Sequence, residues 1–232
     1  MRLMDAEHLE HPFLGVRGMT LWLNRTTNRD WNPKRVRRLM RQMDLEAIYP
    51  RPRTSQPAPG HTVYPYLLDG LAIRRPNQVW CADITYIPMA KGFMYLVAIL
   101  DWFSRFLLAW QLANTLAADF CLDALDVARA RFDAPEIFNT DQGSQFTSAA
   151  FQERLRDDHV RISMDGRRRA LDNVIIERFW RSVKYEDVYL RGYDQGHALY
   201  DGLGRYFDYY NHRRSHQALD GRTPAEVYHA TV

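Results

Sequence analysis

Three runs rich in β-branched and aromatic residues, 79–88, 93–101 and 106–112, follow one another with four residues between each pair. Such runs read as strands, and the Lys91-Gly92 step between the first two suits a hairpin turn, so the natural arrangement is three antiparallel strands. The pattern then changes. Residues 115–131 place Phe120, Leu122, Leu125 and Val127 among alanines and charges, predicting an amphipathic helix. A short strand at 136–140, a helix near 148–157, a fourth apolar run at 160–164 and a long helix from Leu171 follow. A meander of three strands followed by alternating strands and helices predicts an α/β domain: an RNase H-like mixed five-stranded sheet with helices on both faces.

The segment before this pattern is different in kind. Residues 2–47 read as short helices, with Asn32 as cap and Pro33 at the first turn of one of them. Along that helix Val36, Leu39, Met40 and Met43 form one apolar stripe, while Lys34, Arg35, Arg37, Arg38 and Arg41 cover the rest. Up to Arg53 there are 11 Lys/Arg against 6 Asp/Glu, and from Thr54 onward 20 against 22, so the net charge of +3 hides a basic N-terminus. That asymmetry fits a small helical, helix-turn-helix-like region meeting a polyanion such as DNA, although a solvated helix face would look similar. Five of the eleven prolines lie in 50–65, which predicts an extended linker. The expected domains are therefore 1–49 helical, 50–75 linker and 76–232 the RNase H-like domain with a C-terminal helical tail.

Other classes are disfavoured. No apolar stretch approaches the roughly 18 residues of a membrane span, and the N-terminus lacks the apolar core of a signal peptide, so a cytoplasmic protein is expected. Cys81 and Cys121, on different elements, are too few for a disulfide framework and read as buried thiols. His212 and His216 have an i, i+4 spacing, but Arg213 and Arg214 intervene and no acidic or Cys ligand adjoins them, which weighs against zinc. No Gly-rich phosphate loop of the Walker type is present.

Three carboxylates remain to be explained. Asp83 interrupts an otherwise uncharged strand in which Val79, Trp80, Ile84, Tyr86 and Ile87 predict burial on both faces, a costly place for a charge without a cation or donor. Asp141 ends the strand before Gly143, where α/β sheets expose functional groups. Glu177 shares a helix stripe with Asn173, Arg181 and Lys184. Singly, Asp141 could be a turn residue, Glu177–Arg181 an ordinary surface pair, and Asp172-Asn173 a helix cap. Together the three suit phosphodiester transfer, in which two hard divalent ions, Mg²⁺ above all, are held by carboxylate oxygens. Gln142 and Gln145 could touch a nucleotide, and Arg167-Arg168-Arg169 the DNA backbone.

The segments Trp80-x-x-Asp-Ile-Thr-Tyr, Asp141-Gln-Gly-Ser-Gln-Phe, Asp172-Asn-x-x-x-Glu-Arg-Phe-Trp-x-x-x-Lys-Tyr-Glu and Tyr210-Asn-x-Arg-Arg-x-His-x-x-Leu resemble the DDE transposases of the insertion-sequence-three family, in the product of its second reading frame. The resemblance implies an integrase-type catalytic core, a helical DNA-binding region before it, and two Mg²⁺ ions per site, with Mn²⁺ as a substitute. It implies Asp83, Asp141 and Glu177 as the metal-binding catalytic trio and Lys184 as a contact to the DNA end rather than the metals. Gln145, Arg181 and the basic N-terminal helix, Lys34, Arg35, Arg37, Arg38 and Arg41, are further candidate DNA contacts. The expected activity is strand cleavage by water followed by attack of the freed 3′-hydroxyl on another phosphodiester. The expected partners are the element's terminal inverted repeats, target DNA, further copies of the chain on DNA and the first-frame product; no membrane is expected. Ser215 stands where the family usually has Pro, Arg168 where Gly and Ala170 where Cys. The family's second frame usually has more residues before His11-Pro-Phe. A nuclease of the same fold and a noncatalytic DNA-binding repressor are the alternatives.

Overall fold

The computed structural model describes residues 1–47, 64–90, 92–165 and 174–230. The chain forms two compact units, Met1–Thr54 and Ser55–Val232. The Arg167–Arg169 run, the Asp172-Asn173 cap, the helix start at Leu171, Lys91 and nearly all of the Pro-rich segment lie outside the described residues.

In the first unit α1 (Arg2–Glu10), α2 (Val16–Thr27) and α3 (Pro33–Gln42) enclose a small core of Met4, Met19, Leu23, Val36 and Met40. Asn32 caps α3 as its sequence requires, its side-chain oxygen accepting from the Lys34 backbone N–H at 2.8 Å. Leu39 and Met43 pack beside this core, and Arg35 lies over the Trp31 ring at 5.0 Å, leaving Lys34, Arg37, Arg38 and Arg41 exposed as well.

The second unit carries a five-stranded sheet in the order β3-β2-β1-β4-β5. β1 (Val79–Pro88), β2 (Phe93–Asp101) and β3 (Leu107–Ala113) pair antiparallel, while β4 (Ile137–Thr140) and β5 (Arg161–Met164) continue the sheet in parallel from β1. The hairpin turn places Gly92 at a φ of +82°, a conformation that glycine adopts without steric cost. The third strand begins one residue later than its apolar run, because Arg105 takes a φ of +65° at the turn. Buried Asp101 holds that turn, accepting from Ser104 N–H and hydroxyl and from the Asn77 N–H.

The two-residue period of β1 sorts its side chains onto two covered faces. Trp80 and Ala82 join Val97, Ile99 and Phe138 under α4 (Asp119–Arg131) and α5 (Ala149–Asp157). Cys81 and Ile87 join Leu96, Ala98 and Leu100 under α6 (Val174–Val183) and α8 (Gly196–His212). Both cysteines are free and buried. One expectation fails: Tyr86 is half exposed, because near the strand's end it meets only the rings of Phe93 and Tyr95 edge-on.

After α6 the helix widens into a π-helical turn, Lys184–Val188, and ends in α7 (Tyr189–Arg191). The C-terminal motif closes the domain. The Asn211 side chain accepts from Leu107 N–H and donates to Leu107 C=O, both at 2.9 Å, tying α8 to the start of β3. Arg214 grips Glu186 with two nitrogens at 2.6 and 2.8 Å. His216 sits edge-on to Tyr210, and its half-buried ring beside Arg214 has its pKa pushed down to about 4 by burial and then by that guanidinium. This histidine is therefore a packing element, and exposed His212 meets the Phe106 ring. Gln217–Leu219 and α9 (Pro224–His229), with its Thr223–Glu226 capping box, complete the fold. Among the described residues no helix is long and apolar enough to cross a membrane.

Candidate active site

Strand register brings the first two carboxylates together. Cys81 of β1 is the parallel partner of Asn139 of β4, and two residues further along the chain stand Asp83, within β1, and Asp141, just past the end of β4. A step of two returns to the same face, so Asp83 belongs to the face that carries Cys81 and lies beneath α6. Burial first, and then the Asp141 charge, hold the Asp83 carboxyl up to about 7, against the opposing pull of the Trp180 and Ile84 donors. Burial also raises Asp141.

Each acid is oriented by a donor. The Trp180 indole N–H of α6 donates to Asp83 Oδ2 at 2.9 Å, which favours one orientation of this half-buried carboxylate. The Gly143 N–H donates to Asp141 Oδ1 at 2.9 Å, a local turn of the kind aspartate favours. Turn residue and site residue are here the same side chain. A Cβ on Gly143 would stand 2.8 Å from that same oxygen, so the Asp-Gln-Gly sequence requires glycine for close approach.

Glu177 lies three residues before Trp180 on α6 and is exposed, which puts it at the rim of the site, one turn from the indole that reaches Asp83. The trio is not closed around one point, since among the described residues these three do not bring their oxygens within 4.8 Å of one another. The group that does, Glu7, Glu10 and His11, lies on the N-terminal unit. Arg181 does not pair with Glu177 and lies over the Tyr185 ring at 5.9 Å. Lys184 is half-buried, and burial lowers its pKa while the Asp83 charge supports its protonated form. Its ammonium thus senses the carboxylate site, where the family resemblance implies a place apart from the metals. Gln145 is tied through its amide to the Leu116 carbonyl at 3.0 Å, and Gln142 to the Asp165 carbonyl at 2.9 Å.

Asp165 is the residue that sequence reasoning missed. Asn139 is also the partner of Ser163 on β5, and two residues beyond Ser163 stands Asp165. Asp141 and Asp165 thus each stand just past the end of their strand, and both lie near enough to Asp83 of β1 for their charges to act on it. Asn139 Nδ2 donates to Asp165 Oδ1 at 2.8 Å, and the Asp165 charge adds to the upward pressure on Asp83. The buried Asn139 Oδ1 and Thr140 Oγ1 have no hydrogen-bond partner among the described residues. A parallel strand pair cannot be read from local sequence, so only the run 160–164 followed by an acid hinted at this placement.

The donor set is oxygen only and anionic, with Asp83 and Asp141 half-buried and Glu177 exposed, which suits a hard divalent cation such as Mg²⁺. Charge at this site without a cation is costly, and a cation would relieve the mutual repulsion that raises Asp83.

A family model for an integrase core domain matches residues 73–170, a second integrase core model matches 158–224, and a model for an HTH-like domain matches 1–53. The putative transposase InsK for insertion sequence element IS150 of Escherichia coli is 29% identical over 99% of the chain and 82% of its own length. The transposase for IS904 of Lactococcus lactis is 32% identical over 65% of the chain, and InsF for IS3A of E. coli is 31% identical over 65%. The chain spans 61% and 54% of those two relatives. The HTLV-2 integrase catalytic core, solved in complex with magnesium, superposes with a TM-score of 0.56 at 21% identity over 67% of the chain and 98% of that core. A simian T-cell lymphotropic virus intasome, in complex with a PP2A regulatory subunit, covers 97% of the chain and 74% of its own, with a TM-score of 0.59 at 17% identity.

Proposed function

We propose that the chain is a member of the integrase-core family of insertion-sequence transposases and that it catalyses metal-dependent DNA strand cleavage and strand transfer at the ends of an insertion sequence. The observation that carries this reading is the pair of neighbouring, half-buried aspartates, Asp83 in β1 and Asp141 just past the end of β4, with Asp83 held by Trp180 of the helix that bears Glu177. Asp83 and Asp141 would hold Mg²⁺, with Glu177 completing the ligand set and a second ion within the same trio; Mn²⁺ would substitute. When bound, the metal neutralises charge on the phosphodiester and favours the oxyanion form of the attacking water or 3′-hydroxyl.

The chain's own residues do the rest. The Trp180 indole and the Gly143 N–H orient the two aspartates, so little reorganisation is needed when substrate arrives. Lys184, half-buried on the same helix and within the field of Asp83, would place a phosphate of the DNA end near the carboxylates. Arg181 and Gln145 are further contacts in this reading. Arg35, Lys34, Arg37, Arg38 and Arg41 of α3 would grip the DNA backbone by charge, as the HTH-like match supports. Inverted repeats and target DNA are the proposed substrates. Two ends must be held at once, so further copies of the chain are proposed to assemble on DNA, with the first-frame product as an additional partner and the cytoplasm as the place of action.

Incubating the chain with Mg²⁺ and DNA bearing a recessed 3′-hydroxyl end tests the proposal. Joined strands on a denaturing gel are expected, and Asp83→Asn, which keeps the volume but removes an ionic ligand, should abolish them without changing the circular dichroism spectrum. Cutting without joining would favour a nuclease, and metal-independent binding without turnover a repressor. Retained joining in Asp83→Asn would refute the assignment of the site.

A further inference from the structure

Beyond Glu177 the helix exposes two aromatic rings that the carboxylate site does not use. Tyr185 is 64% and Tyr189 52% exposed, although full burial of an aromatic ring is among the larger stabilising contributions open to a side chain. Their ring centroids are 5.4 Å apart in an edge-to-face arrangement, and the Arg181 guanidinium stands 5.9 Å from the Tyr185 centroid. An edge-to-face pair uses one face of one ring, and Arg181 covers another, so these contacts leave at least two of the four ring faces uncovered.

The rings are set on a rigid base. The π-helical turn that contains Tyr185 turns Asp187 and Val188 inward. Asp187 accepts from Arg191 at 2.8 Å and from the Tyr193 hydroxyl at 2.9 Å. Glu186 is held by Arg214 and by the Tyr206 hydroxyl at 3.0 Å. The backbone between the tyrosines is thus fastened to α8 and to the loop before it, and little conformational freedom would be lost on binding. A π-helical turn inside an α-helix is rare and frequently accompanies a functional site.

The charge around the rings selects an occupant. Arg178 and Arg181 are exposed on the preceding turns, and Lys184, adjacent to Tyr185, leads back to Asp83. Aromatic rings between cations, beside a site for phosphodiesters, match a strand whose bases are unpaired, because a base in a duplex has its faces already stacked. From this placement we propose that Tyr185 and Tyr189, with Arg181, form a stacking platform for an unpaired nucleotide of the DNA strand end engaged at the carboxylates. The proposal rests on the DNA strand-transfer reading above and adds a binding site to it.

The probe is a duplex with a single-stranded overhang carrying 2-aminopurine at its terminal unpaired position, mixed with the full chain in EDTA, beside a blunt duplex of the same sequence. The chain should quench the fluorophore and prefer the overhang. Tyr185→Ala with Tyr189→Ala should lose the quenching and weaken overhang binding by about tenfold or more while leaving blunt-duplex binding unchanged. Tyr185→Phe with Tyr189→Phe, which keeps the rings, should behave as the parent. Undiminished quenching in the alanine pair overturns the proposal. So does a fall in sedimentation coefficient with quenching unchanged, which would make this face a contact between copies. Quenching lost in the alanine pair while the parent chain gives no joined strands in Mg²⁺ would support the platform and remove the strand-transfer reading instead. Efficient joining with no effect of the alanine pair on quenching would do the reverse.

Discussion

Single residues at the site are constrained by their neighbours more than by their own chemistry, and Gly143 shows how. It supplies the N–H that orients Asp141, and any Cβ there would press on the same carboxylate oxygen at 2.8 Å, closer than real Cβ contacts come. In Gly143→Ala the aspartate must rotate or the turn must shift, and either displaces a proposed metal ligand by a fraction of an ångström or more. Misplacement on that scale costs on the order of 100-fold in rate, so strand transfer should fall by about that factor. The melting temperature should change little, since Gly143 lies in a turn outside the packed core. Equal losses of stability and activity would show that the turn supports the fold rather than the site. Asp83 is legible in the sequence alone, because a lone charge in an apolar strand demands an explanation. Asp165 is not, because its hydrogen bond from Asn139 exists only once β4 and β5 pair in parallel.

At the scale of elements, periodicity revealed most of the sheet, since strand residues alternate and β-branched runs are conspicuous; β1 and β2 lie at the expected bounds. The π-helical turn at Lys184–Val188 was hidden, because its cause is tertiary: Glu186 and Asp187 are pulled to partners 6 to 28 residues away in the chain. The same attachment explains Gly202 in the middle of α8. A Cβ there would fall 1.9 Å from the Tyr193 hydroxyl oxygen, the group that donates to Asp187. Gly202→Ala should expel Tyr193, strand a buried carboxylate oxygen and destabilise the domain by about 2–3 kcal/mol. Two residues on, Gly204 would meet only the edge of Trp110 at 3.9 Å, an ordinary contact, so Gly204→Ala should stabilise by about 0.5–1 kcal/mol through helix propensity. Urea unfolding of both variants checks the contrast, and similar effects in the two would remove Tyr193 as the reason for the glycine.

For the whole molecule, the division of labour follows charge. The N-terminal unit builds its own small core, and the exposed basic residues of α3 lie on the side away from Val36 and Met40. The excess positive charge of the chain resides in this unit, while the region from Thr54 onward is slightly acidic and includes the carboxylate site. Binding affinity and chemistry should therefore separate on mutation. If α3 holds DNA by phosphate contacts, replacing both Arg37 and Arg38 with Ala should weaken binding about equally for any sequence. It should also lower the slope of log affinity against log salt by just under about 2, since each phosphate contact to duplex DNA contributes about 0.9. Strand joining at saturating protein and low salt should persist, because no member of the carboxylate site has been touched. An unchanged salt slope would show that these arginines only solvate the helix. A loss confined to one DNA sequence would show that they read bases, and the DNA-facing role of α3 would then be recognition rather than grip.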